Sequence, residues 1–552
     1  LKPFDESGKF QAIPDGGAEL RRLAVQGAGV TVLSQGVMLA VQIITTVVLA
    51  RLLMPSDFGV VAMVSTFSLL LTSFPGFTEA VLQREQINHF LASNLFWIST
   101  GVGIVLTAAF AGAGSLLAWF YGDPRVVDIA IALSFQIFIN GISIVHQALL
   151  QRAMRFPAVS ANEIIARVMS VVVSISCAWA GCGYWALVAG ILTFPFSRSV
   201  GAWYLCRWVP GLPRRAAGTE ALARFTKNVY GRYTVDYFAH NMDNVLVGWR
   251  FGAQPLGFYK KAYDLFALPA NQLVKPLTAV AVAALSRFKS DPARYRRYLL
   301  NALAVTAFVG MGLGADLTLT GKDVIRLLLG PNWAQSGRIF TFLGLGIGFM
   351  FVHATHDWIH LSIGTTERYF RWGLVEFGVT GLLFIPGLSW GPEGVAIAWT
   401  VSYAILTLPA FWYAGRPIRL GVAPVISTVW RYLLAAGLAA WTSAMVIRLF
   451  PFLGALPGAA GALARIVAIS SLFGVLYLSA VVLLHGSWSP LYQVARLVRE
   501  MLPSSWTLRP VPSGVANAEV AAGATLTPAR EEETLSDGGV PAGVGSSLNE
   551  GR

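Results

Sequence analysis

The sequence has 552 residues, of which 55% are hydrophobic and only 12% charged, with a formal net charge of +13. Soluble domains carry roughly 25% charged residues, so a water-soluble globular protein is excluded. Lys and Arg gather on alternate connections rather than on one face. The basic excess is therefore a topology signal and gives no reason to expect nucleic acid as a partner.

The chain opens with a polar segment, 1–22, that has no feature of a cleavable signal peptide. Because the first residue is Leu1, the true start is left open. Fourteen apolar stretches long enough to cross a bilayer follow, at about 26–53, 55–83, 90–119, 124–148, 158–182, 183–207, 222–252, 255–286, 292–320, 332–363, 366–387, 391–415, 424–450 and 460–486. The fold class expected is an all-α polytopic membrane protein. Alternate connections are rich in Lys and Arg, as at Arg152 and Arg155, Arg214 and Arg215, and Arg294, Arg296 and Arg297. The intervening connections hold few, among them Arg51, Arg125 and Arg250. Cytoplasmic loops retain positive charge, so both termini are expected inside. Cys177, Cys182 and Cys206 fall in or beside spans and offer neither a disulfide framework nor a four-ligand zinc site.

Charges inside spans mark function by default. Span two carries Glu79, with Arg84 at its inner end. Span five opens on Glu163, with Arg167 one turn on as a local partner. Span seven contains RYTVDYFAHNMDN, where Arg232, Asp236, His240 and Asp243 share an arc of roughly 80°. Two readings of that stripe stay open: a cavity-facing set, with Arg232 meeting an anion, or intrahelical pairs that hold the span in place. Span eight carries Lys260, Lys261 and Lys275, the last between Pro269 and Pro276, where freed backbone carbonyls suit a cavity wall. Snorkelling to an interface is the alternative for each lysine. In span ten, HATHDWIH places His353, His356, Asp357 and His360 within roughly 100° of arc. That pattern suits a hydrated cavity wall or a proton relay. A metal is not expected, because no further His or Cys cluster completes a shell. Glu376 opens span eleven.

Faint internal matches relate the two halves. RFPAVSANE (155–163) and RYFRWGLVE (368–376) each place Glu eight residues after Arg, and RLLMPSDFG (51–59) parallels RFGAQPLG (250–257). Similar features six spans apart fit two six-helix lobes in parallel orientation, an arrangement of transporters that rock about a central cavity. The organisation expected is an N-terminal cytoplasmic segment 1–22, a first lobe 23–207, a cytoplasmic loop 208–221, a second lobe 222–415 and two extra spans in 416–486. A cytoplasmic tail, 487–552, is first amphipathic and then disordered in composition.

ARLLMPSDFGVVAM (50–63), DNVLVGWRFGAQPLGFYKKAYDLFALP (243–269), ALSRFKSDPARYRR (284–297) and LLLGPNWAQSG (327–337) resemble the polysaccharide exporters of the multidrug/oligosaccharidyl-lipid/polysaccharide superfamily. The branch resembled handles colanic-acid-type and teichuronic-acid-type polymers, and the similarity covers roughly residues 20–490. The resemblance implies a flippase of the bacterial inner membrane that moves polyprenyl-diphosphate-linked sugar repeat units, with two six-helix bundles in a V and two appended helices. The His-rich HATHDWIH departs from that pattern.

A lipid diphosphate cannot shed its hydration in hydrocarbon, so its carrier needs cationic groups in a wet cavity. Arg84, Arg232, Lys260, Lys261 and Lys275 are the expected substrate contacts. Glu79, Asp236, His240, Asp243, His356 and Asp357 are the expected ion-coupling groups, with proton and sodium both left open. No cofactor or catalytic residue is expected. The partners expected are the lipid-linked oligosaccharide, membrane lipids, and a polysaccharide polymerase and glycosyltransferases of the same route. A drug or cation antiporter of the same superfamily is the alternative. A membrane polymerase or ligase fits less well, because the outward connections are too short for its periplasmic domain.

Overall fold

The computed structural model describes residues 3–5, 7–10, 17–72, 87–213, 233–234, 237–238, 241–451 and 456–492. Among them every regular element is a helix, the form that satisfies each backbone polar group within its own segment when no water is at hand. The first seven are α1 (Gly17–Leu52), α2 (Pro55–Thr72), α3 (His89–Tyr121), α4 (Arg125–Gly141), α5 (Ile144–Arg152), α6 (Phe156–Trp179) and α7 (Trp185–Cys206). After a helical segment at 241–251 come α8 (Ala253–Pro269), α9 (Lys275–Ser286), α10 (Pro292–Leu329), α11 (Ala334–Ile363), α12 (Thr366–Gly387), α13 (Gly391–Gly415), α14 (Val422–Arg448) and α15 (Gly458–His485).

Eleven stretches among the described residues are long and apolar enough to cross a membrane. One of them, Thr366–Ile418, contains two helices, α12 and α13, joined at a 3-10 turn, Leu388–Trp390. With α7 and the described end of the seventh span at 241–251, the count agrees with the fourteen read from the sequence. Residues 493–552, where disorder is expected from the composition, lie outside the described residues.

Proline decides where span eight breaks. Pro269 and Pro276 bracket a π-helical turn, Ala270–Val274, between α8 and α9. Each proline lacks an N–H and crowds the preceding turn, so the local ladder resets with a wider ring. Aspartates set two helix starts. Asp291 accepts from the backbone N–H groups of Ala293 and Arg294, and Asp57 accepts from that of Met54 at the turn into α2.

Helices α1 to α7 pack chiefly on one another, through the pairs α3–α4, α6–α7, α1–α6 and α2–α4. Helices α8 to α13 do the same through α10–α11, α11–α13, α12–α13 and α8–α11. The two appended helices rest on α10. Arg465 of α15 there holds Asp323 at 2.9 Å through Nε, and Tyr477 donates to the carbonyl of Phe308 at 2.7 Å.

The principal bridge between the two sets is α2 against α8, and glycine makes it. A Cβ on Gly59 would lie 1.6 Å from the carbonyl oxygen of Ala253, and one on Gly257 would lie 1.8 Å from that of Pro55. The contact is reciprocal, the first residue of each helix meeting the glycine four positions into the other. It is the structural counterpart of the sequence match between PSDFG (55–59) and AQPLG (253–257). Around it, Trp333 donates to the carbonyl of Ala50 at 2.8 Å and meets the rings of Phe58 and Phe258 edge-on. Arg51 donates to the carbonyl of Leu327. This end of the lobe interface is closed.

Neither glycine can take a methyl group without the helices separating. Gly59→Ala and Gly257→Ala should each speed thiol labelling of a Leu256→Cys reporter, since Leu256 is fully buried beside the contact. Unchanged labelling in both backgrounds would contradict a glycine-dependent closure.

Candidate functional site

Below the closed end lies a cavity of about 770 Å³, within the usual range for ligand sites. Phe58, Val61, Ala62, Ser65, Leu69 and Thr72 descend one face of α2 at helical spacing to form a wall. Helices α1, α4, α5, α6, α7 and α8 supply the rest, with Tyr233 from the seventh span. Among the described residues the lining carries four basic side chains, Arg167, Arg198, Lys260 and Lys261, against one acid, Asp264.

The two arginines share an aromatic ring. The guanidinium of Arg167 on α6 sits 4.2 Å from the centroid of Phe194, and that of Arg198 on α7 lies 5.4 Å from it. A ring face attracts cations, and the planar guanidinium stacks well on it. Arg198 also donates through Nη2 to Asn140 Oδ1 at 2.9 Å, while its buried Nε has no hydrogen-bond partner. The packing that places them is tight: a Cβ on Gly190 would collide with Ser174 at 1.8 Å, and Ser170 donates to the Gly190 carbonyl. The expected Glu163–Arg167 pair does not form as a close ion pair. Arg167 is drawn onto Phe194, and Glu163 acts on it only at longer range.

The lysines are arranged differently. Lys260 Nζ lies 2.5 Å from Asp264 Oδ1, and Lys261 Nζ lies 3.8 Å from Asp264 Oδ2 and 4.3 Å from the centroid of Phe58. One carboxylate thus serves two ammonium groups. The arginine pair is the less neutralised half of the site, with the Nε donor of Arg198 still unused.

Lys260 and Lys261 therefore line the cavity, whereas Lys275 is exposed just after the π turn and is not in its lining. Glu79, Arg84, Arg232, Asp236 and His240 lie outside the described residues. Asp243 is fully buried and belongs to the protein core rather than to the cavity wall. Its Oδ2 accepts from Tyr259 Oη at 2.7 Å and Trp399 Nε1 at 3.1 Å, and its Oδ1 accepts from the N–H of Asn244. Spans seven, eight and twelve are tied together at this carboxylate. His353, His356 and His360 are likewise buried in the second set of helices, away from the cavity lining, with Asp357 partly exposed beside them. Glu376 meets two of these histidines rather than an arginine.

The sequence reading missed Arg198 and gave Arg167 only a structural part. The signal was present: FPFSRSVG puts a lone cation in the middle of an apolar span, which by itself marks a functional candidate.

The model of the family described as "Polysaccharide biosynthesis protein" matches residues 48–338, more than half of the chain. The chain is 23% identical to teichuronic acid biosynthesis protein TuaB of Bacillus subtilis (strain 168), over 66% of this chain and 76% of TuaB. It is 22% identical to succinoglycan biosynthesis transport protein ExoT of Rhizobium meliloti (strain 1021), over 71% of this chain and 79% of ExoT. Its fold is similar to that of the lipid II flippase MurJ in an inward closed conformation, with a TM-score of 0.65 and 14% identity over 85% of this chain and all of that one. An inward-facing multidrug resistance transporter of the MATE family and MOP superfamily gives a TM-score of 0.54 at 13% identity, over 69% and 94%.

Removing the Asp243 carboxylate should orphan its donors. Asp243→Ala leaves the Tyr259, Trp399 and Asn244 donors unmatched, at about 1–3 kcal/mol each. Asp243→Asn keeps an acceptor for the first two. Thermal unfolding in detergent should rank wild type above Asn and Asn well above Ala; equal midpoints for Asn and Ala would contradict this account. The family model covers more than half of the chain, and the chain belongs to the polysaccharide biosynthesis protein family.

Proposed function

We propose that the protein is a flippase that carries polyprenyl-diphosphate-linked oligosaccharide repeat units across the bacterial inner membrane by alternating access, in the synthesis of exopolysaccharide, capsule or lipopolysaccharide. The observation that carries this reading is the cavity with its four cations and one acid. A diphosphate entering it exchanges water for charge-assisted hydrogen bonds from two guanidinium groups held in place by Phe194. Lys260 and Lys261, shared with Asp264, offer a second and weaker seat on the opposite lobe. An anion bridging the two seats makes contact with both lobes at once, and rocking of one lobe against the other hands it across.

The rest of the chemistry supports the same reading. Gln136, Asn140 and Gln147 add polar lining suited to sugar hydroxyls. TuaB and ExoT belong, by their names, to teichuronic acid and succinoglycan synthesis, and MurJ is a lipid II flippase. With both termini in the cytoplasm, the contact of Gly59 and Gly257 lies on the periplasmic side of the cavity. An antiporter for cationic drugs calls for an acidic or aromatic cavity, and here the balance is basic. No chemical step is needed; the lipid-linked unit leaves as it entered.

In a strain lacking its own exporter, the protein should restore surface polysaccharide and lower the lipid-linked repeat unit retained inside. Accumulation that persists with several related repeat units, at normal membrane abundance, would overturn the proposal. Arg198→Gln should reduce export about tenfold or more, as expected for a lost charge-assisted bond of about 1.5–3 kcal/mol. Arg198→Lys should retain part of it. Normal export with Gln would make the guanidinium a packing group.

A further inference from the structure

The second set of helices holds a group of side chains that the cavity does not use. His353 and His356 of α11 and Glu376 of α12 bring their ligand atoms within 4.8 Å of one another. His353 Nε2 lies 2.9 Å and His356 Nε2 lies 3.5 Å from the same Glu376 oxygen, and His356 Nε2 is also 3.3 Å from Asp357 Oδ1.

Hydrogen bonding fixes which nitrogen of His356 carries the proton. Its Nδ1 is 2.6 Å from the backbone carbonyl oxygen of His353, which can only accept, so Nδ1 is the donor. In the neutral ring Nε2 is then a lone pair, fully buried, and it has no hydrogen-bond partner. Two carboxylate oxygens face that lone pair. For His353 the Thr407 hydroxyl donates to the carbonyl of Tyr403, which leaves the Thr407 oxygen as an acceptor 3.5 Å from His353 Nδ1. Both rings can thus direct Nδ1 at protein acceptors and Nε2 at one centre. This is how metal-bound imidazoles are oriented. The Trp372 indole N–H donates to the Glu376 oxygen that both histidines face and steadies it.

Charge balance points the same way. Among the described residues the ion-pair contacts of Glu376 and Asp357 are with histidines alone, not with Lys or Arg. Two carboxylates beside these imidazoles in a membrane span call for positive charge, which an ion between them supplies. We infer that His353, His356 and Glu376 form a three-ligand site for one divalent transition-metal ion of the zinc type, with the Asp357 carboxylate beside it. Two imidazoles and one carboxylate suit such an ion, and the neighbouring second carboxylate helps to balance its charge. A tetrahedral site with bonds of about 2.0–2.1 Å has ligand atoms roughly 3.4 Å apart, so binding draws the groups slightly inward and staples α11 to α12. Glu376 and Asp357 keep 27% and 30% side-chain exposure and are not sealed within the helix packing. The site is independent of what the cavity carries.

The test uses the full chain, purified in detergent, stripped with chelator and freed of any affinity tag. Equilibrium dialysis against Zn²⁺ at neutral pH should find one ion per chain at micromolar free metal, and Zn²⁺ but not Mg²⁺ should raise the unfolding midpoint by several degrees. Glu376→Gln and His356→Gln should each weaken binding at least tenfold while unfolding near the metal-free wild type. The wild-type titration decides even where a variant does not fold. Absence of bound Zn²⁺, with a midpoint that responds to pH alone, would make the compensating charge a proton and overturn the assignment. Undiminished binding by both variants would place the ion elsewhere and overturn it as well.

Discussion

A formal charge within a bilayer survives only where water, a counter-charge or fixed hydrogen-bond donors replace its hydration. The polar architecture of this protein follows from that constraint. Asp243 meets it with three donors from its own and neighbouring spans. Asp323 meets it with Arg465, a pair that fixes the last helix to α10, and Arg465 also holds the carbonyl of Leu456. Arg167 and Arg198 meet it only in part, on the face of Phe194 and the oxygen of Asn140. Incomplete satisfaction is what separates the cavity from the core. A side chain fully matched inside the protein has nothing left to offer a ligand.

The closed end depends on the opposite extreme, the absence of side chains. At Gly59 and Gly257 backbone meets backbone closely enough that carbonyl oxygens occupy the places of two Cβ atoms. Contacts this tight are made or broken as a unit, because packed surfaces have discrete arrangements rather than a continuum. The aromatic group of Phe58, Phe258 and Trp333 lies at the same end, and Lys261 stacks on Phe58 from the cavity side. The closure and the cationic wall therefore share a residue. Movement of α2 away from α8 would disturb the Lys261 seat, a direct link between what the cavity holds and whether the end opens.

Much of this was legible in the sequence because membrane proteins write their topology in hydropathy and charge. Fourteen spans, the break at Pro269 and Pro276, and the paired turns at 55–59 and 253–257 all left local signals. Partners across helices left none. Asp243 stood out as a charge in span seven, yet nothing local said that Tyr259 and Trp399 would enclose it. Glu163 looked paired to Arg167 by spacing alone, but the ring of Phe194, 27 residues away, competes for that guanidinium. Arg198 was overlooked because its span reads as continuous and aromatic; only its isolation marks it. The histidines of HATHDWIH share one helical face as their spacing requires, and the acid that joins two of them comes from the next span.

The central claim is that the cavity recognises a lipid-borne diphosphate through Arg167 and Arg198. Native mass spectrometry of the purified protein with polyprenyl diphosphate, polyprenyl monophosphate and polyprenol tests it directly. The account predicts retention in that order, with the diphosphate preference lost in an Arg167→Gln, Arg198→Gln double variant that keeps its fold. Equal retention of the polyprenol and the diphosphate by wild type would contradict it.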